Sequence, residues 1–409
     1  MKTTIYFLLA LPLLYASCSE KKSLVERDFD FAARQLTHAI AETDAEIAAE
    51  ISRSETGETL KVTPRTIGKK GELILSTSRE WTSGFFPGEL WYMYEYTGDP
   101  EWERQARRFT DPLEREKTNG VTHDMGFKVY CSFGNGYRLT GDPRYKEIML
   151  KSAYTLITRY SPIVKSIRSW DHNRDKWEYP VIIDNLMNLE LLFWAFRQSS
   201  DSTFYRIAVD HAETTMKNHF RPDYSTYHVI DYYPETGEVR KRNTHQGYAH
   251  ESTWSRGEGW ALYGYTMIYR ETNQTDFLDQ ARQVAKFIFT HPNLPGDLIP
   301  YWDFNAPEIP NEPRDVSAAT VTASALYELS TYVSGEEAAQ YKKWADAILQ
   351  NLSDHYLAKY QEDYGFLLLH STGSKPGNTE VDVPLVYADY YFLEALLRKQ
   401  KIEETGKLF

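Results

Sequence analysis

Two short segments of this chain hold carboxylates in settings suited to acid–base chemistry. In Tyr179-Pro-Val-Ile-Ile-Asp-Asn-Leu-Met-Asn188, Asp184 is flanked by Ile182, Ile183, Leu186 and Met187. A carboxylate among aliphatic side chains is destabilised when charged, so its pKa rises and it stays protonated near neutrality, as a general acid must. Read alone, Asp184 serves equally well as the cap of the helix that follows. In His123-Asp124-Met-Gly-Phe127 a second carboxylate precedes a helical stretch running through Cys131. Gly126 there permits a tight backbone or the close approach of a ligand. Capping is again the rival reading. Asp124 gains force from its pairing with Asp184, because two carboxylates facing each other across a pocket push their titrations apart and leave one protonated.

The densest polar and aromatic segment is His245-Gln-Gly-Tyr-Ala-His-Glu-Ser-Thr-Trp-Ser-Arg-Gly-Glu-Gly-Trp260. Two histidines five apart beside a glutamate raise the question of zinc, but the spacing is not His-Glu-x-x-His and no further ligands cluster nearby. No metal or other cofactor is expected. Arg256 is a candidate for binding or orienting an acid group, since guanidinium matches a carboxylate bidentately. Glu258 reads as a helix cap with no catalytic part. Two loops complete the inventory. Trp81-Thr-Ser-Gly-Phe-Phe-Pro-Gly88 leads an aromatic into a helix, and His370-Ser-Thr-Gly-Ser-Lys375 sets hydroxyls beside a lone cation. The second suits a sulfate or carboxylate, with a plain surface loop as the alternative.

Helices must position these residues, because apolar side chains recur at three- and four-residue spacing between Gly, Pro and Asp turns. A weak repeat runs through the chain: a turn rich in Gly, Asp, Ser or Thr, then an aromatic, then a helix. Its instances are Thr97 to Trp102, Thr140 to Tyr145, Ser199 to Phe204, Thr272 to Phe277 and Ser334 to Tyr341. Each reads as a helical hairpin, and such hairpins stack to bury their apolar faces, with about six pairs fitting the length. Irregular spacing, with the chemistry held in long inter-helix segments, favours an all-α, closed (α/α)6 toroid over an open solenoid. Residues 31–409 form one domain, since no linker divides them. The least helical part, Tyr224 to Arg242 around Pro234-Glu-Thr-Gly237, predicts a small β-hairpin on the rim.

The formal charge of −12, from 46 basic and 58 acidic residues, argues against nucleic acid as a partner. Residues 1–17 read as a secretory signal: Lys2, an apolar run from Ile5 to Tyr15, then Ala16-Ser17. Cys18 after these small residues reads as a lipidation site, and residues 18–30 as anchor and tether, polar from Ser19 to Ser23. Membrane contact is expected only through that lipid. Ser19-Glu-Lys-Lys22 lacks the acidic run of a surface-export signal, so the expected place is the periplasm. Cys131 then has no partner for an intrachain disulfide, and stability must come from a large core.

Taken together, His123-Asp124, Tyr179, Asp184, His228, Gln246 and Arg256-Gly-Glu-Gly-Trp260 resemble the active site of the unsaturated glucuronyl hydrolases, glycoside hydrolase family 88, and the resemblance spans roughly Trp81 to Leu397. It implies an α6/α6 barrel and no metal. It also implies action on the 4,5-unsaturated uronic acid that a lyase leaves at the nonreducing end of an oligosaccharide, by hydration of the vinyl ether. Asp184 would be the general acid and base and Asp124 the second essential carboxylate. His123, Tyr179, His228, Gln246, Arg256 and Trp260 would be substrate contacts, together with Trp81 and Trp170. Ser371, Ser374 and Lys375 resemble the family's sulfate-recognition segment. The implied partners are unsaturated glycosaminoglycan oligosaccharides, chondroitin or hyaluronan before heparin. Pectin fragments, as for an unsaturated rhamnogalacturonyl hydrolase, are the nearest alternative. A lipid-anchored glycan-binding protein without activity is the alternative of another class, and it gives no reason to set Asp184 in an apolar segment opposite Asp124.

Overall fold

The structure, a computed structural model, describes residues 22–409. The export signal and Cys18 lie outside the described residues. Within them, twelve α-helices follow one another: α1 Leu24–Arg53, α2 Phe85–Thr97, α3 Pro100–Thr110, α4 Asn135–Thr140, α5 Pro143–Ile157, α6 Asn185–Ser199, α7 Ser202–Asn218, α8 Ser255–Thr272, α9 Thr275–Thr290, α10 Val316–Ser330, α11 Gly335–His355 and α12 Val386–Thr405. A π-helical segment, Gly126–Gly134, runs directly into α4.

Burial sorts the helices into two rings. In α7 the buried residues are Phe204, Ile207, Ala208, His211, Ala212 and Thr215, and in α9 Phe277, Gln280, Ala281, Val284, Ala285 and Ile288. That is one stripe at helical spacing, the mark of a helix with one face in solvent. By contrast α8 is buried from Ser255 to Ile268 and α10 from Val316 to Leu329 without interruption. Such helices are walled in on every side. The inner set packs neighbour to neighbour, with the π segment against α2 and α6, α6 against α8, α8 against α10, α10 against α12, and α12 back onto α2. The last contact closes the ring, so the expected (α/α)6 barrel is the fold.

The repeat seen in the sequence is the inner-to-outer junction. α2, α4, α6 and α8 each end on a left-handed residue, Gly98, Gly141, Ser200 and Asn273, with φ of 67°, 70°, 59° and 55°. At the first three the next residue caps the outer helix: Asp99, Asp142 and Asp201 accept from the backbone N–H two positions on. A hydroxyl from Thr97, Thr140 or Ser199 accepts that cap residue's own N–H. Two or three residues thus reverse the chain while satisfying the orphan groups of both helix ends. Each repeat's aromatic, from Trp102 to Tyr341, then points inward and is buried.

Outer-to-inner connections are long and carry all of the strands. β1 Lys61–Ile67 pairs with β2 Leu73–Thr77, β3 Tyr160–Ser161 with β4 Ser166–Ile167, and β8 Ser371–Ser374 with β9 Thr379–Val383, each antiparallel. The rim hairpin expected around Pro234–Gly237 is present as β6 Val229–Tyr232 and β7 Val239–Asn243. It is larger than expected, because β5 Tyr179–Ile182 joins it on the β6 side. β5 is buried at all four residues, so it has no polar alternation to betray a strand. The tether is shorter than 18–30: Ser23 caps α1 in a capping box with Glu26, and Val25 and Phe29 are buried in the core. No helix among the described residues is long and apolar enough to cross a membrane.

The two layers of each repeat predict separable costs. Phe204→Ala, which empties a core site, should lower unfolding free energy by about 3–5 kcal/mol, and Asp201→Ala, which removes only a cap, by about 1 kcal/mol. Urea titration of the two variants measures the difference.

Candidate active site

Asp184 follows β5 directly and stands at the N-cap position of α6, yet its side chain makes no capping hydrogen bond. The capping alternative is therefore wrong for this residue. Its carboxyl group turns into a cleft of about 530 Å³ at the strand-bearing end of the barrel. Oδ2 is buried and accepts no hydrogen bond. Its nearest basic group is His228 Nε2, 3.7 Å away. Burial raises the pKa to about 7, with Arg256 pulling it down and Asp124 adding a small upward push. Near neutral pH this carboxyl group spends comparable time protonated and ionised, which suits a residue that must both give and take a proton.

Asp124 enters from the loop before the π segment. Oδ2 accepts from Thr122 Oγ1 at 2.8 Å, and Oδ1 lies 3.1 Å from Nε2 of His123. His123 is completely buried, and desolvation holds its pKa below the usual histidine value. Gly126 is needed for packing and not for ligand approach: a Cβ there would come within 2.5 Å of the Cα of Asn188 on α6. Asn188 Oδ1 also accepts from Phe127 N at 3.1 Å. The segment carrying Asp124 is thus pinned to the first turn of the helix that carries Asp184.

His228 lies at the start of β6, buried, its ring stacked on Trp254 at 4.4 Å. Nδ1 accepts the backbone N–H groups of His245 and Gln246, both at 3.2 Å. Burial pushes its pKa far down, so the ring is neutral, and with Nδ1 accepting, the proton sits on Nε2, facing Asp184. Glu258 is not a helix cap. It accepts from Thr226 N and Oγ1, both at 2.7 Å, and so holds the chain two residues ahead of His228. Arg256 reaches the cleft wall with its guanidinium engaged: Nη1 donates to Asp315 and to the Thr372 carbonyl, and Nη2 to that of Gly373. Gln246 Nε2 donates to the same Gly373 carbonyl at 2.9 Å. Both side chains therefore fasten the β8–β9 hairpin over the cleft, and Arg256 faces Asp184 with its charge.

The cleft brings together His123, Asp124, Asp184, Gln246, Arg256, Trp81, Trp170 and Ser374, with His228 just behind its wall. Besides His228, four expected contacts fall outside it. Tyr179 turns away, its hydroxyl directed at the carbonyls of Arg159 and Ser166. Trp260 is fully buried behind Phe127, with Tyr391 on another side. Ser371 is buried within β8. Lys375 is ion-paired with Glu312 and lies over Trp302, away from the cleft. For Tyr179, Trp260 and Ser371 the reason is common: a strand or helix alternates its faces, and spacing along the chain does not say which face meets the cavity; Lys375 sits in the turn after β8 and is held by Glu312. Conversely, Arg65, His172, Lys176, Glu380 and Tyr387 line the cleft without an expected role, as does His245, which the sequence offered only as a metal ligand. Arg65 binds Glu380 through Nε and Nη2, a pair 315 residues apart that no local pattern announces. Among the described residues, no group of three or more His, Cys, Asp or Glu side chains is placed to hold a metal ion.

Residues 52–293 match the model of Glycosyl Hydrolase Family 88. The chain belongs to this family. It is 52% identical to an unsaturated glucuronyl hydrolase of Formosa agariphila, over 83% of this chain and 85% of that protein. It is 33% identical to an unsaturated chondroitin disaccharide hydrolase of Streptococcus pneumoniae, over 83% and 86%. A crystal structure of an unsaturated glucuronyl hydrolase specific for heparin superposes with a TM-score of 0.86 at 45% identity, covering 93% of this chain and 98% of that one. In this family 88 chain, Asp124 and Asp184 thus line one cleft at the strand-bearing end of the barrel.

The raised pKa of Asp184 has a consequence for stability. A carboxyl group whose pKa is higher folded than unfolded costs nothing below its unfolded value near 3.8 and becomes a liability as pH rises through about 7. Asp184→Asn should therefore melt with the wild type at pH 4 and progressively above it up to pH 8. Scanning calorimetry across that range checks the sign.

Proposed function

We propose that this chain is an unsaturated glucuronyl hydrolase, removing the 4,5-unsaturated uronic acid from the nonreducing end of lyase-generated glycosaminoglycan oligosaccharides. The observation that carries the reading is Asp184: a buried carboxyl group with an unpartnered oxygen, a pKa near 7, a neutral histidine on one side and a second carboxylate facing the same cleft. The activities of its relatives support the same class.

The chemistry follows from those groups. Protonated Asp184 delivers its proton to C4 of the ring, and the C4=C5 electrons form the new C–H bond. Positive charge develops at C5 and the ring oxygen, where the Asp124 carboxylate offsets it. Ionised Asp184 then takes a proton from the water that adds at C5. The resulting hemiketal opens by breaking the bond between C5 and the ring oxygen, leaving a ketone at C5 and a hemiacetal at C1. Collapse of that hemiacetal releases the neighbouring sugar's hydroxyl. Water is consumed once, and Asp184 ends as it began. Because the anomeric carbon is not attacked, the carboxylate spacing that sorts retaining from inverting glycosidases has no bearing here.

The preference for chondroitin or hyaluronan rests on Lys375 and its neighbouring hydroxyls. With that cation paired to Glu312, the reading extends to heparin fragments on equal terms. Export belongs to the same proposal: Lys2, the apolar run and Cys18 support a periplasmic, lipid-anchored enzyme, and Cys18→Ser should move it from the membrane to the soluble fraction.

Unsaturated disaccharides from chondroitin, hyaluronan and heparin lose the ultraviolet absorbance of their conjugated double bond on hydration. The protein should abolish that absorbance, and Asp184→Asn should slow its loss by about 10²–10⁴-fold while remaining folded. A wild-type protein inert on all of them would overturn the proposal.

A further inference from the structure

The cleft narrows from an exposed mouth to a buried floor. His123, Asp184 and Arg256 form the closed end, whereas His172 and Lys176 form one lip of the mouth and Pro376, Gly377 and Thr379 the other. An enzyme that removes a terminal sugar places that sugar at the closed end, so the second sugar lies between the lips. In a lyase-cut glycosaminoglycan disaccharide that second unit is an amino sugar, and its anionic substituents are sulfates.

The cations of the cleft are not equally available to such a group. Arg65 is bound to Glu380 and Glu80, and Arg256 to Asp315. Outside the cleft, Lys375 is paired with Glu312, whose side chain is fully buried and also accepts from Trp302 Nε1. Drawing Lys375 away would strand that carboxylate without its cation. Lys176 differs: it is exposed, its ammonium lies 5.9 Å from the Trp177 ring, and among the described residues no carboxylate stands within ion-pair distance of it. His172 stands on the same lip, against the Trp170 ring at 5.3 Å. Trp170 gives the cleft an indole wall with the His172 imidazole against it, and the Lys176 ammonium lines the same mouth, a set that matches a pyranose ring carrying a sulfate.

We propose that Lys176, with His172 beside it, forms the subsite for a sulfate on the second sugar, in place of Lys375. This rests on the function proposed above.

The test compares kcat/KM for unsaturated disaccharides with and without sulfate on the second sugar. Lys176→Met should lower the sulfated-to-unsulfated ratio about tenfold, through KM of the sulfated substrate, and Lys176→Arg should restore it. Because the side chain is exposed, folding is not at stake. A ratio unmoved by Lys176→Met, or one lost on Lys375→Met instead, would overturn the proposal. So would a wild type that turns over both substrates without discrimination, which leaves the hydrolase reading standing. A wild type that turns over neither refutes the two together.

Discussion

Much at this site depends on holding one carboxyl oxygen out of reach of the protein's hydrogen-bond donors. Asp184 Oδ2 is buried with no donor to it, an arrangement that costs a protein about 1–3 kcal/mol wherever it occurs. The residues around it supply apolar surface and no polar partner. Ile183 and Leu186 flank the residue, both fully buried, and β5 anchors the approach through Asp231, which accepts from the N–H groups of Glu178 and Tyr179. Of the nearby donors, Arg256 is engaged by Asp315, and His228 Nε2 faces Oδ2 from 3.7 Å, beyond hydrogen-bond length.

The barrel divides labour between its ends. The inner-to-outer junctions after α2, α4, α6 and α8 take two residues each. Outer-to-inner connections are longer, and the sheets, both carboxylates and the hairpin over the cleft all arise there. Loops can vary at one end because the helix reversals at the other satisfy themselves locally.

The fold was legible because it rests on local rules. The Thr-Gly-Asp-Pro pattern encodes a left-handed stop, an N-cap and a first-turn proline in consecutive residues, and those rules hold whatever surrounds them. Asp184 was legible for a similar reason, as its aliphatic flanks lie within three residues. What escaped reading depends on distant partners. Tyr179 and Trp260 keep the right company in sequence yet face away from the cavity, and Lys375 is neutralised by a residue 63 positions earlier. Glu258 looked like a cap because it sits in a first helical turn; its partner is Thr226, across the site.

Arg256 ties two properties together. Its guanidinium holds the carbonyls of Thr372 and Gly373 in the hairpin over the cleft, and its charge lowers the proton affinity of Asp184. Hairpin position and acid strength are therefore thermodynamically linked. If the hairpin lifts and carries the guanidinium with it, Asp184 holds its proton more tightly. By reciprocity, a deprotonated Asp184 draws the guanidinium, and the hairpin with it, toward the floor. In the mechanism proposed above a proton leaves that carboxyl group and returns, so each transfer would shift the balance between Asp184 and the hairpin that Arg256 holds.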